Sequence, residues 1–198
     1  MPGAVLFKEN NMNNTDVLAT LLAQTPVKTA TLPRDQRGIY GLIDHGQHLR
    51  YIGCTTREAE NFRKRIHQRH RTGSETHSHY FSKIYNTGRM YRDRLTQQGD
   101  PDAKIAKDLR SAFIAEYCRA VYVPLEASEL EIVALEAATI AIAPSENILW
   151  NRATTMVYPE PTELVDALIA KLGLSRGGIE ALERQSLRFD RTRTVLAS

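Results

Sequence analysis

The sequence predicts a mixed α/β fold of the α+β type: a small antiparallel sheet of three strands flanked by helices, with inserted helices and a helical C-terminal extension. In the segment 37–55, two runs rich in aliphatic and aromatic residues enclose the turn HGQH, which is the pattern of a β-hairpin. The β-branched run 119–123 supplies a third strand. Apolar residues recur at helical spacing in several of the remaining segments.

The first helices follow from caps and periodicity. Residues 15–24 predict a short helix capped by Thr15 or Asp16, and a linker leads from it to the first strand. After the hairpin, apolar positions at helical spacing predict a helix over about 56–73 and another over 77–88.

Two later helices carry explicit N-terminal signals. Residues 100–118 begin with Asp100 as a cap, followed by Pro101 at the first helical position. Residues 128–143 begin with Ser128 and have a glutamate three residues later, which is a capping box. Both segments are therefore predicted as helices with well-defined starts.

The composition is that of an ordinary globular chain. The 198 residues are 42% hydrophobic and 25% charged, enough for one sizeable domain with an appendage. No apolar run reaches the roughly 20 residues of a membrane span, and the first residues do not resemble a secretory signal. Two cysteines are too few for a disulfide framework. We therefore expect a cytoplasmic protein without a membrane partner.

Charge is unevenly distributed along the chain. Residues 57–71 hold five arginines, one lysine and two histidines against two glutamates, whereas residues 125–136 hold four glutamates and no basic residue. A basic helix beside an acidic one is a pattern expected where a polyanion meets a metal ion. The alternative for the basic run is a solvated surface helix.

The hairpin contains two triplets in mirrored order, Gly38–Ile39–Tyr40 and Tyr51–Ile52–Gly53. A helix bearing arginines follows them, and a glutamate helix and an asparagine come later. This ordered set resembles the GIY-YIG nucleases. The resemblance covers roughly residues 37–151 and implies a nuclease domain with a helical insertion at about 77–118. Residues 1–36 would then be an N-terminal helix and linker, and 152–198 a helical tail.

The resemblance implies cleavage of phosphodiester bonds in DNA with one divalent metal ion, Mg²⁺ or Mn²⁺. Tyr40 matches the tyrosine viewed as the general base or as the partner of the attacking water. Because the pKa of a free phenol is near 10, a nearby cation must lower the pKa of Tyr40 for it to act as a base. Tyr51 matches the second tyrosine, which orients water or phosphate. The alternative for both residues is an ordinary aromatic cross-strand pair.

The resemblance also implies an arginine that holds the scissile phosphate. The segment FRKRI selects Arg65 for this role, with Arg63 and Arg69 as rivals and further DNA contacts. Family members commonly carry a histidine one turn later, where this sequence has Arg69 with His67 and His70 beside it, and His70 is our assignment. His77 resembles a histidine of homing-type members and is predicted to contact DNA.

A glutamate of the late helix is the implied metal ligand. Glu136 follows Leu135 as in the family pattern, and Mg²⁺ is suited to a single carboxylate because it keeps several waters and also takes phosphate oxygens. The asparagine that ends the family core is Asn151 in the spacing of homing-type members, or Asn147 in a shorter spacing.

The tail resembles a helix-turn-helix around residues 172–175, which would place Arg176 near the start of a recognition helix that contacts DNA. The alternative is a helical hairpin that packs on the core or on a second subunit of a homo-oligomer. The sequence as a whole predicts a restriction-like or mobile-element-associated DNA endonuclease. A structure-specific repair nuclease and a non-cleaving DNA-binding protein on the same fold are the alternatives.

Overall fold

The computed structural model describes residues 12–57, 59–73, 79–152 and 158–196, with side chains described up to residue 192. The strands in these residues are β1 (Val27–Lys28), β2 (Gly38–Ile43), β3 (Leu49–Thr55) and β4 (Arg119–Pro124). The helices in the same residues are α1 (Asn14–Ala23), α2 (62–72, π-helical over Lys64–His70), α3 (Tyr80–Ile84), α4 (Pro101–Tyr117), α5 (Glu129–Ile142), α6 (Leu149–Arg152), α7 (Thr162–Leu172) and α8 (Arg176–Leu196).

The sheet is antiparallel and its strand order is β1-β4-β2-β3. The hairpin and the strand at 119–123 are present as the sequence predicts, but the sheet has a fourth strand where the prediction has three. This strand lies in the predicted linker, where Val27 pairs with Ala120 and Lys28 pairs with Arg119. A strand of two residues is too short to show the alternation of apolar and polar residues that predicts a strand. Its pairing in the folded protein is therefore all that defines β1.

Helices cover both faces of the sheet, which is why all six residues of β2 are buried. On one face Ile39 packs in a cluster with Val17 and Leu21 of α1 and Ile132 of α5. On the other face Tyr40 packs in a cluster with residues of α2, α3, α4 and the tail. Because successive side chains of a strand point to opposite faces, the tyrosine of the first triplet lies on the second face.

Two helix starts differ from the prediction. The cap of α1 is Asn13, in a capping box with Asp16, and not Thr15 or Asp16 itself. The helix predicted from about residue 56 begins only at residue 62, because the N–H groups of Phe62 and Arg63 donate to carbonyls of the preceding 33–36 segment. That tertiary pairing satisfies helix donors in a way that the sequence does not show.

Helix α3 is also shorter than predicted, since it spans five residues of the predicted 77–88. In contrast, the caps of the later helices are confirmed. Asp100 accepts a hydrogen bond from the N–H of Asp102 at the start of α4, and Ser128 forms a capping box with Glu131 at the start of α5. Among the described residues, no helix is long and apolar enough to cross a membrane.

The two tail helices pack on the core. Leu168 of α7 and Leu182 of α8 belong to the same buried cluster as Tyr40, whereas Leu172 is largely exposed. Gly173 takes a left-handed conformation between them, with φ of 60°. Arg184 of α8 makes two hydrogen bonds, of 2.6 and 3.0 Å, to the carboxylate of Asp102 on α4. The tail is therefore joined to the inserted helix by both apolar and charged contacts.

A buried carboxylate joins the tail to the end of β2. Asp44 has no exposed side-chain surface, and its Oδ2 accepts hydrogen bonds of 2.8 Å from Arg50 Nε and from the Tyr158 hydroxyl. Its Oδ1 accepts from the N–H of His48 at 2.9 Å. Burial acts to raise the pKa of Asp44, but these hydrogen bonds outweigh it and hold the pKa below its ordinary value.

We predict that Asp44→Asn lowers the free energy of unfolding at neutral pH by about 3 kcal/mol, because it leaves Arg50 without its buried partner. A depressed carboxyl pKa contributes stability above the unfolded pKa of about 3.9 and loses it as pH falls through the folded value. The difference between parent and variant should therefore shrink below about pH 4. Urea unfolding at pH 7 and pH 3 measures it, with Asp108→Asn in an exposed ion pair as the control. An equal deficit at both pH values would contradict this account.

Candidate active site

The strand register brings the two motif tyrosines together on one face of the sheet. Tyr40 pairs with Gly53 and Leu42 pairs with Tyr51, so the tyrosines are diagonal neighbours whose ring centroids lie 6.2 Å apart. A Cβ atom on Gly53 would lie 2.8 Å from the Tyr40 hydroxyl oxygen and 2.5 Å from a ring carbon of Tyr51. The glycine of the second triplet is therefore required by the space that both rings occupy.

The arginine and the histidine of α2 both approach Tyr40. The hydroxyl oxygen of Tyr40 lies 2.7 Å from Nε2 of His70, and the Nε of Arg65 donates to the same oxygen at 3.4 Å. The two residues are five positions apart, a spacing that an α-helix does not place on one face. The π-helical hydrogen bonding over Lys64–His70 provides that alignment, and short π-helical segments are frequent at functional sites.

The side chains of Tyr40 and His70 are both uncharged in the free protein. Tyr40 is completely buried, and burial raises its pKa well above the ordinary phenol value, although the Arg65 charge acts in the opposite direction. Burial also lowers the pKa of His70 well below its ordinary value, and the charges of Arg65 and His79 add to this. At neutral pH the cluster thus consists of a phenol, an uncharged imidazole and a guanidinium.

Glu136 lies on α5 beside the edge strand β3. Its Oε2 accepts a hydrogen bond of 2.9 Å from the thiol of Cys54, the residue that follows the second triplet. Burial raises the pKa of Glu136, opposed by the hydrogen bonds from Cys54 and by the Arg65 charge. Glu136 is close enough to the motif tyrosines to raise the pKa values of both Tyr40 and Tyr51.

The described side chains around Tyr40 that could bind a metal ion are few, so they fit only an ion that takes few protein ligands. Among the described residues, no group of three or more histidine, cysteine, aspartate or glutamate side chains is arranged to hold a metal ion. Glu136 offers one hard, partly buried carboxylate, and Mg²⁺ is commonly bound by one or two carboxylates together with water and phosphate oxygens. The residues present are compatible with such an ion and not with a site made entirely of protein ligands.

Arg63 and Arg69, the alternatives to Arg65 as the phosphate ligand, lie next to other residues than Tyr40. Nη1 of Arg69 lies 2.6 Å from Oε1 of Glu60, in an ion pair whose arginine is nearly half-exposed and whose glutamate is largely buried. Arg63 lies near His67 and Arg71, where its charge helps to lower the pKa values of both. Of the three arginines proposed from the sequence, Arg65 is the one with a hydrogen bond to Tyr40.

Asn151 of α6 braces β3. Its side-chain oxygen accepts from the N–H of Ile52 at 3.0 Å, and its side-chain nitrogen donates to the carbonyl of Ile52 at 2.7 Å. Ile52 is the middle residue of the second triplet, so this amide holds the strand that carries Tyr51. Asn147 lies in a short 3₁₀-helix (Ser145–Ile148), where its own N–H donates to the carbonyl of Pro144.

We predict that Asn151→Ala destabilises the protein by about 2–4 kcal/mol, because two backbone groups of an edge strand lose their partner. Asn147→Ala is the matched control, and we expect a change within about 0.5 kcal/mol. Chemical denaturation of both variants measures the difference. If Asn151→Ala lost activity without losing stability, Asn151 would act on substrate instead of on the strand.

Two residues of the site were missed by sequence reasoning. Tyr80, which begins α3, stacks on Tyr51 with ring centroids 4.1 Å apart and an angle of 29° between the planes. Cys54 contacts the Glu136 carboxylate. The position of Cys54 directly after the second triplet was a usable signal, whereas nothing in the sequence near Tyr80 marks it.

Two further residues, His77 and Arg176, are predicted to contact DNA. His77 is outside the described residues. Arg176 is exposed at the start of α8 and pairs with Glu180 one turn later, at 2.9 Å. The structure therefore does not join Arg176 to the cluster around Tyr40.

A cavity of about 800 Å³ opens beside the start of β2. It is lined by residues of both charges, among them Arg34, Arg37, Glu60 and Glu126, and by none of the catalytic candidates around Tyr40. Its mixed charge favours neither a polyanion nor a cation, so we assign no role to it.

No protein-family model matches the chain, and neither the curated proteins nor the solved structures contain a match.

Proposed function

We propose that this protein is a metal-dependent DNA endonuclease of the GIY-YIG type. The observation that carries the proposal is the convergence of His70 and Arg65 on the Tyr40 hydroxyl, with the Tyr51 ring and the Glu136 carboxylate nearby. A buried phenol, an arginine and an acidic side chain match three needs of phosphodiester hydrolysis: a proton acceptor, a phosphate ligand and a ligand for a cation.

In this proposal Tyr40 either releases its phenolic proton to solvent and then, as the phenolate, accepts a proton from the attacking water, or holds that water in place as the neutral phenol. Arg65 binds the scissile phosphate. In the free protein Arg65 donates to Tyr40, and Tyr40 has no exposed surface. The contact with Tyr40 uses Nε of Arg65, so Nη1 and Nη2 could bind the phosphate while this contact is kept. A guanidinium is suited to this role because it hydrogen-bonds to phosphate in a bidentate manner.

Glu136 is the carboxylate that would hold Mg²⁺ or Mn²⁺, and Cys54 would keep its orientation through the thiol hydrogen bond. When bound, the ion would neutralise charge on the phosphate as the new P–O bond forms and the old one breaks. The remaining arginines of α2 would contact neighbouring phosphates and supply affinity without sequence preference.

A biological role in restriction or in a mobile element remains our first proposal, with structure-specific repair as the alternative. The support is the surface added beyond the hairpin and α5 by the inserted helix α4 and the tail helices α7 and α8. Such added surface is where base contacts that confer specificity would be made.

A non-cleaving DNA-binding protein is the second candidate, and the complete burial of Tyr40 favours it. Incubation of supercoiled plasmid with the full chain and Mg²⁺, Mn²⁺, Ca²⁺ or EDTA separates the two. An endonuclease nicks or linearises the plasmid with Mg²⁺ or Mn²⁺ and not with EDTA. Retardation of the plasmid without any cleavage in either metal would favour the non-cleaving protein.

A further inference from the structure

We propose that Tyr80 is a further positioning residue of this site, whose backbone amide fixes the tautomer of His70 and whose ring fixes the orientation of Tyr51. The catalytic consequence rests on the proposed nuclease function, whereas the tautomer is a property of the free protein. Tyr80 is half-buried, and it is the first residue of α3.

The first step concerns the imidazole of His70. The N–H of Tyr80 donates to Nδ1 of His70 at 3.0 Å. A ring nitrogen that accepts a hydrogen bond carries no proton, so the neutral imidazole must carry its proton on Nε2. His70 is completely buried and its pKa is lowered by that burial, which leaves the neutral form as the state to consider.

The second step concerns the phenol. With its proton on Nε2, His70 donates to the Tyr40 oxygen across 2.7 Å, and Arg65 donates to the same oxygen. This arrangement makes His70 a hydrogen-bond donor that stabilises the ionised form of Tyr40, and it prevents His70 from acting as the base that deprotonates Tyr40. The opposite tautomer would accept from the phenol and stabilise its protonated form.

The third step concerns the second tyrosine. The Tyr80 ring stacks on Tyr51 at 4.1 Å and is also 6.1 Å from the His70 ring. Stacked aromatic pairs gain about 0.5–1.5 kcal/mol beyond the area that they bury. Such a contact restricts the Tyr51 ring at the position where it would orient water or phosphate.

Three variants separate the amide from the ring. Tyr80→Phe keeps both, Tyr80→Ala keeps only the amide, and Tyr80→Pro loses both. Proline is tolerated at the first position of a helix, and His79 before it already has a non-helical backbone with φ of −104°. The difference between the alanine and proline variants therefore reports the N–H group alone, and thermal melting checks that both are folded.

The tautomer is measured by ¹⁵N NMR of the full chain labelled at histidine, with the His70 signals identified by their loss in His70→Gln. We expect the proton on Nε2 in the parent and in Tyr80→Ala, and a loss of this preference in Tyr80→Pro. A proton on Nδ1 in the parent, or an unchanged His70 spectrum in Tyr80→Pro, would overturn the proposal. This result does not depend on any cleavage by the protein.

The nicking rate provides the functional measurement. Tyr80→Ala should slow Mg²⁺-dependent nicking about tenfold through the freed Tyr51 ring, with recovery in Tyr80→Phe. Tyr80→Pro should slow it about tenfold further, because a hydrogen bond to a charged oxygen is lost. Equal rates in the alanine and proline variants would remove the amide from the catalytic account.

The pH dependence of the nicking rate should shift in one direction when the Tyr80 amide is lost. Among the residues that the structure describes, the charged and titratable groups that face Tyr40 are Arg65, Glu136, Cys54 and His70, together with the neighbouring Tyr51. A donor to the phenolate lowers the pKa of Tyr40, so its loss in Tyr80→Pro should move the rising limb of the rate profile to higher pH than in Tyr80→Ala. If the parent does not nick DNA but shows the Nε2 tautomer, the nuclease proposal fails and the assignment of the His70 proton stands.

Discussion

Replacement of Glu136 with alanine is expected to abolish Mg²⁺-dependent cleavage while DNA affinity changes only a few-fold. The side chain is the partly buried carboxylate near both motif tyrosines, and its loss would remove the protein ligand of the metal ion. Metal assistance is worth several kcal/mol of transition-state stabilisation, so a rate loss of at least about 10³-fold follows. Phosphate contacts made by the arginines of α2 would remain.

The control for Glu136→Ala is Glu129→Ala on the same helix. Glu129 is exposed and accepts a hydrogen bond from Thr56, so its loss should leave the cleavage rate nearly unchanged. Single-turnover cleavage and electrophoretic binding in Ca²⁺ measure the two properties separately. Robust cleavage by Glu136→Ala, or an equal loss in both variants, would remove Glu136 from the metal site.

Replacement of Arg65 with alanine is expected to slow cleavage by about 10²–10³-fold, the typical cost of one charge-stabilising donor in an active site. Arg65 is the arginine that contacts the Tyr40 oxygen, and it is the cation that opposes the burial-raised pKa of Tyr40. Arg65→Lys should recover little, since an ammonium group cannot make a bidentate contact with phosphate.

Arg63→Ala and Arg69→Ala are the matched comparisons on the same helix. Arg69 pairs with Glu60, and the charge of Arg63 affects His67 and Arg71, so both should mainly weaken binding and reduce its dependence on salt. Cleavage rates at saturating protein and binding at several salt concentrations measure these effects. Equal catalytic losses in all three variants would show that the phosphate-binding residue has been assigned wrongly.

The part of the fold that the sequence predicts is the part with local signals. The hairpin that carries Tyr40 and Tyr51 follows from strand and turn patterns, and the start of α5 follows from the capping box at Ser128. Strand β1 is two residues long and is defined only by its pairing with β4. The start of α2 has a local cap, since the side-chain oxygen of Asn61 accepts from the N–H of Lys64, but it also depends on carbonyls of the 33–36 segment, which no local pattern includes.

The candidate site also has one part that local sequence signals predict and another part that they do not. The spacing of the triplets predicts the proximity of Tyr40 and Tyr51, and the register explains it. The approach of His70 depends on a π-helical segment, which shifts the residue facing Tyr40 by one position relative to an α-helix. The contact between Tyr80 and Tyr51 joins an inserted helix to the hairpin. Because it forms only in the folded protein, the spacing of residues in the sequence does not predict it.

The most direct test of the proposed function is cleavage of supercoiled plasmid by the parent and by Tyr40→Phe under single-turnover conditions with Mg²⁺. The substitution removes only the hydroxyl oxygen on which His70 and Arg65 converge. We predict that the parent nicks the plasmid, that EDTA stops the reaction, and that Tyr40→Phe is at least about 10²-fold slower at unchanged DNA affinity. A parent protein that binds but never cuts DNA, or a Tyr40→Phe variant that cuts at the parent rate, would contradict the account.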